Sequence, residues 1–131
     1  MSKSVLCEEK DNICLITLNE EDTRNAISPE IIKELVNILE EIDNNKNISC
    51  AILTGAGKSF SSGGNLHEIN EMTENNNMSL RDIENWYRNG IQRIPMTFNK
   101  IDVPVIAAVN GHAIGAGCLL YTSPSPRDSR V

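Results

Sequence analysis

The sequence predicts an α/β fold, and three observations carry that expectation. Five apolar residues, Val105 to Val109, follow Pro104 and stop at Asn110-Gly111. They are too few for an ordinary helix and do not alternate, so they read as a fully buried strand. A second apolar run, Ile48 to Thr54, stops in the same way at the turn Gly55 to Lys58. Capped segments with apolar residues at three- and four-residue spacing lie before and between these runs and read as helices. The order is strands, helix, strand, helices, strand, with right-handed crossovers expected between parallel strands.

Each element has its own justification. Ser4 to Glu9 is a weak strand and Ile13 to Leu18 a stronger one. Asp11-Asn12 between them is a two-residue hairpin signal. Asn19 to Asn25 is a polar loop. Ser28 is a good N-cap, Pro29 suits the first helical position and Glu30 complements the helix dipole. Ile31, Leu35, Ile38, Leu39 and Ile42 then share one face, and Asp43 to Asn47 ends the helix. Phe60 to Gly64 is extended or irregular. Asn65 and Glu68 fit a capping pair for a short helical turn through Ile69, and Glu71 to Ser79 reads as an exposed loop. Leu80, Ile83, Tyr87, Ile91 and Ile94 line one face of a longer helix that Pro95 should kink or end. Met96 to Ile101 continues as a second short helix.

Composition bounds the function. A chain of 131 residues with 40% hydrophobic content is one globular domain or part of one. The net charge of −6, without a long run of one sign, argues against nucleic acid or an anionic membrane surface as partner. No apolar run approaches a membrane span, and Met1 to Lys10 has no export or transit signature, so a cytoplasmic protein is expected. The four cysteines Cys7, Cys14, Cys50 and Cys118 lack metal or redox spacing and read as buried free thiols. No cluster implies a metal.

Two stretches carry the chemistry. Gly115-Ala116-Gly117 follows a strand and has almost no side chain, so a ligand can approach its backbone closely. Such a turn presents backbone N–H groups to an anionic oxygen. Ala51 to Asn65 has the same character, and the two loops are expected to meet in one site. Gly111, Gly115 and Gly117 also fit a dinucleotide pattern, but that pattern belongs after a first strand. Gly55 to Ser59 hints at a phosphate loop with the wrong spacing. His67 reads as solvent-facing, and His112 as packing or hydrogen-bonding in a turn. Glu68 and Glu71 read as capping and surface residues, with a substitute acid as the sharper alternative. Trp86 and Tyr87 read as packing residues; Trp86 is placed to touch an acyl chain or a neighbouring subunit.

Four segments together resemble the crotonase superfamily of enoyl-CoA hydratases and isomerases. They are Thr23 to Ser28, Ala51 to Gly55, Lys58 to Leu66 and Val103 to Gly117. The resemblance implies a truncated crotonase-like spiral of ββα units, its N-terminal half, over residues 1–117. It implies an acyl-CoA thioester as substrate, coenzyme A entering as part of that substrate, and no other cofactor. It further implies a homotrimer or hexamer when full length, and a place in fatty acid metabolism. By the family's pattern the N–H groups of Gly64 and Ala116 form an oxyanion hole for a thioester enolate. Arg24, Asn25 and Ala26 would lie along the CoA, with Ser62, Gly63, Gly64, Asn65 and Leu66 lining the same groove. Many family members carry Asp where this chain has Asn65. The first glutamate of the family's hydratases falls at Leu119, and the second beyond residue 131. Hydratase is the reaction expected; isomerase or another crotonase reaction, a non-catalytic acyl-CoA binder, and an NAD(P)-dependent short-chain dehydrogenase are the alternatives.

After Gly117 the character changes. Cys118 to Asp128 has two prolines and no helical pattern, and it resembles a translated transposase adapter from a sequencing library. Residues 118–131 are therefore expected to be a non-native tail.

Overall fold

The computed structural model describes residues 3–74 and 77–120. Strands β1 (Val5–Lys10) and β2 (Ile13–Leu18) form an antiparallel hairpin. Asp11 and Asn12 join them with φ of 52° and 69°, a left-handed pair that these residue types tolerate and that matches strand twist. Helix α1 (Pro29–Asp43) leads to β3 (Cys50–Gly55), which lies parallel to β2. Strand β4 (Ser59–Ser61) and helices α2 (Leu66–Glu74), α3 (Leu80–Asn89) and α4 (Arg93–Lys100) follow. Strand β5 (Val105–Ala107) pairs parallel with β3, and β6 (His112–Ala113) pairs parallel with β4. The main sheet has the order β1-β2-β3-β5, and β4 and β6 form a second sheet. The chain thus repeats a pair of strands followed by a helix. Each new pair adds one strand to the main sheet and one to the small sheet.

The core lies between α1 and one face of the main sheet. Ser28 caps α1 as its spacing predicts: Ser28 Oγ accepts from the Ile31 N–H at 3.2 Å and donates to Glu20 Oε1 at 2.9 Å. Ile31, Leu35 and Leu39 are fully buried against Cys14, Ile16, Leu18, Ala51 and Leu53. Each fully buried aliphatic side chain of this kind stabilises the fold by about 1.5–3 kcal/mol. The buried stripe also takes in Ile32 and Val36, because α1 packs against α4 as well as β1. Asp43 Oδ1, at the end of α1, accepts from the N–H groups of Asp102 and Val103 at 2.8 and 3.0 Å and so anchors the approach to β5.

Several expectations are corrected. The run Val105 to Val109 is not a fully buried strand. Only Val105–Ala107 is strand, and Ile106 and Val109 are 57% and 41% exposed, because β5 is the edge of the main sheet. Strand β3 is central, yet it alternates half-buried and buried residues because only one of its faces meets the core. Helix α2 runs past Ile69 to Glu74, into the segment expected to be loop. The break before α4 comes at Gly90, not Pro95. Pro95 occupies the first turn of α4, where its missing N–H has no intrahelical partner to lose. The apolar face of α3 buries no residue fully. Cys7 and Cys14 form a disulfide across the hairpin, with Cys7 exposed, so these two are not buried free thiols. Cys50 is free and half-buried. Of the expected tail, residues 121–131 lie outside the described residues.

Candidate functional site

Three loops converge on one place. The first, residues 24–28, precedes α1; the second, residues 61–65, joins β4 to α2; the third, residues 114–117, follows β6. The first and second are tied by Ile27 N–H to Gly63 C=O at 2.7 Å and Ser62 N–H to Arg24 C=O at 2.9 Å. The second and third are tied by Ile114 N–H to Ser61 C=O at 3.0 Å. Glycine is needed at two points of this junction. Gly63 has φ 96°, and a Cβ there would stand 2.6 Å from Ile114 C=O and 3.4 Å from Ala116 N. A Cβ on Gly117 would stand 2.5 Å from Ser61 C=O. The meeting of the two glycine-containing loops, expected from sequence, therefore occurs with their backbones in direct contact.

Gly64 and Ala116 line the same cavity, of about 190 Å³, together with Ile27, Glu68, Trp86 and Ile91. Among the described residues no acceptor is paired with the Gly64 N–H. Ala116 lies in the first turn of a 3-10 segment, Gly115–Leu120, where an N–H has no partner within its own helix. Two backbone donors thus border one largely apolar space. A second apolar cavity, of about 520 Å³, shares Ile27, Tyr87, Ile91 and Ala116 and extends towards Pro95, Phe98 and Leu120.

The other expected site residues divide. Arg24 is exposed and half-turned by a left-handed φ of 56°. Ala26 is buried beside it, and its C=O accepts from Ser28 N–H at 2.8 Å. Ser62 Oγ donates to Thr23 C=O at 2.8 Å. Asn65 caps α2, its Oδ1 accepting from the N–H groups of His67 and Glu68 at 3.1 and 3.4 Å, and it lines the smaller cavity. Asn25 does not present its side chain to a groove. It is 0% exposed; its Oδ1 accepts from Glu20 N–H at 2.8 Å, and its Nδ2 donates to Ala56 and Ser59 C=O at 3.1 and 3.0 Å. Leu66 points away at 73% exposure and lines neither cavity. His67 and His112 are exposed, and neither lines either cavity.

Sequence reasoning missed two things. Glu68 does not complete a capping box; its carboxylate turns to the cavity wall, where Oε1 accepts from Trp86 Nε1 at 3.0 Å. Ile27, Tyr87 and Ile91 wall both cavities. The signal for the last two was the four-residue spacing of Tyr87 and Ile91: Ile91 packs against the core as that spacing predicts and also walls the cavities, whereas Tyr87 is 44% exposed. The glycine pattern Gly111, Gly115, Gly117 straddles β6, the sixth strand, and so lacks the setting of a dinucleotide turn. Among the described residues no three of His, Cys, Asp and Glu are grouped to hold a metal, and no helix is long and apolar enough to cross a membrane.

Residues 8–123 match the family described as enoyl-CoA hydratase/isomerase. The chain is 34% identical over 121 residues to a short-chain-enoyl-CoA hydratase of Clostridium acetobutylicum, covering 92% of this chain and 44% of that protein. It is 34% identical over 116 residues to the 2,3-dehydroadipyl-CoA hydratase of Escherichia coli, covering 88% and 42%. An enoyl-CoA hydratase/isomerase structure from Xanthobacter autotrophicus superposes with a TM-score of 0.80 at 26% identity, over 92% of this chain and 43% of that one. The chain therefore spans less than half the length of the curated relatives it matches. Its strand-strand-helix repeat is the first part of their crotonase fold, and the chain belongs to the enoyl-CoA hydratase/isomerase family.

Proposed function

We propose that the protein acts on acyl-CoA thioesters and that its reaction is hydration of a 2-enoyl-CoA. Attack of water at the β-carbon forms a C–O bond and moves the π electrons onto the thioester, building negative charge on its oxygen. A proton then returns to the α-carbon. In this reading the Gly64 and Ala116 N–H groups hold that oxygen. The observation that carries it is that both residues line one apolar cavity, where hydrogen bonds to a developing charge are stronger than in water. Arg24, Ala26, Ser62, Gly63 and Asn65 would follow the CoA moiety, and coenzyme A would be the only cofactor-like group involved. Membership of the family supports an acyl-CoA substrate, and the assembled enzyme would be a homotrimer or hexamer.

A second reading turns on one position. Leu119, where the resemblance places a hydratase's first glutamate, lies in the stretch expected to be a non-native tail, so an isomerase with its acid elsewhere or a binder without turnover is the alternative. One experiment separates these readings. The full-length protein is mixed with crotonyl-CoA, and loss of the conjugated thioester absorbance is followed. Hydration is expected, and Gly64→Pro, which removes the N–H, should lower the rate by about 10²–10³. Gly64→Ala should retain activity, since its Cβ meets only the flexible Ile69 Cδ1 at 3.2 Å. An unchanged rate in Gly64→Pro would remove Gly64 from the site. Binding without absorbance loss would favour the second reading.

A further inference from the structure

We infer that the hydrogen-bonded pair Glu68–Trp86 is a partition that ends the acyl cavity and restricts the protein to short acyl chains. The inference rests on the acyl-CoA reading above. Glu68 comes from α2 and Trp86 from α3, and their 3.0 Å contact spans the gap between the helices. An indole N–H can only donate, and a carboxylate acceptor makes the bond charge-assisted. The contact therefore holds the indole in place across the gap.

The pair faces two spaces. On one side is the cavity of about 190 Å³ that Gly64 and Ala116 line. On the other is an open depression of about 420 Å³ whose wall includes Lys33, Asn85, Asn89 and Arg93. Glu68 and Trp86, with Ile32 and Gly90, belong to both walls. Without the indole the two spaces would join. Size then decides what fits. An apolar cavity of roughly 150 Å³ accepts benzene, so the inner space suits an acyl tail of roughly four to six carbons. A ten-carbon tail directed along this space, and not towards Phe98 and Leu120, displaces the indole and enters among Lys33, Asn85 and Arg93, where methylene groups stay wet and gain little. Trp86 is thus a specificity-determining residue and Glu68 its positioning residue.

The test is a chain-length series on the full-length protein. The values of kcat/KM for 2-enoyl-CoAs from four to twelve carbons are measured, or Kd for the same thioesters if binding occurs without turnover. The wild type should favour four carbons over ten by at least about tenfold, and Trp86→Ala should raise the ten-to-four ratio by at least about tenfold. Trp86→Phe keeps a ring but loses the N–H, so it should raise the ratio by a smaller factor, and it serves if Trp86→Ala does not fold. Glu68→Gln keeps an acceptor and should leave the ratio near that of the wild type, whereas Glu68→Ala should raise it. A flat wild-type series, or a ratio unmoved in both Trp86 variants, overturns the partition and sends the tail past Phe98 and Leu120 instead. If no acyl-CoA of any length binds or reacts, the acyl-CoA reading itself fails, and the partition with it.

Discussion

Asn25 shows how one side chain can hold a site without touching its ligand. It sits at a left-handed φ of 58°, which Asn tolerates better than most residues. From there it satisfies Glu20 N–H, Ala56 C=O and Ser59 C=O, while its own C=O accepts from Ser61 Oγ at 2.7 Å. It therefore ties the loop before α1 to β4 and the turn before it, and through them sets where residues 61–65 run. Ser59 C=O has a second donor in Asn110 Nδ2 at 3.3 Å, so Asn25→Ala leaves chiefly Glu20 N–H and Ala56 C=O without partners. Leaving two partly buried groups unpaired should cost roughly 2 kcal/mol or more. A lower thermal midpoint of the full-length protein is the expected result; an unchanged midpoint would show that water replaces these bonds at no cost.

Among the elements, α3 matters most to the cavity, since it carries Trp86 and Tyr87. It buries no residue fully, so its capping box bears much of its local order. Ser79 N–H and Ser79 Oγ both donate to Asp82 Oδ2 at 2.8 Å, and Asp82 N–H donates to Ser79 Oγ at 3.2 Å. The backbone bond from Ser79, followed by its hydroxyl bond, holds the Asp82 carboxyl below its ordinary value. A lowered carboxyl pKa means stability that is present in full above the unfolded value of about 3.9 and is lost as pH falls through the folded value. Amide protection at the start of α3 should therefore be steady at neutral pH and decline below about pH 4. Asp82→Asn should abolish that decline. A wild-type profile without it would mean that packing, not the cap, orders the helix.

At the scale of the whole molecule, the outer face of the main sheet is apolar. Leu15, Ile52 and Ile106 stand in register across β2, β3 and β5. Leu6, Ile13, Leu15 and Ile106 are all exposed. A contiguous apolar face beside an edge strand favours association with other chains. The 131-residue chain alone should self-associate in sedimentation velocity, and the double change Leu15→Lys with Ile106→Lys should reduce that association. A monodisperse wild-type monomer would contradict this reading of the face.

What the sequence by itself determined was local. The Asp11-Asn12 turn, the Ser28 cap, the stripe along α1 and the two bare glycine loops follow from preferences that adjacent residues impose on their own backbone. The meeting of Gly63 and Gly117 with the opposing loop was legible too, because only residues without side chains allow such approach. The tertiary structure decided what lies opposite each side chain. Glu68 fits a capping box by spacing, yet it turns to Trp86, 18 positions away. Asn25 reads as a groove residue, yet it is enclosed by carbonyls up to 34 positions away. Tyr87 has helical core spacing but is exposed beside a cavity, and Ile106 lies on the uncovered side of an edge strand. Apolar spacing says that a face avoids water. Whether another element or a ligand's acyl chain covers that face depends on residues far away in sequence.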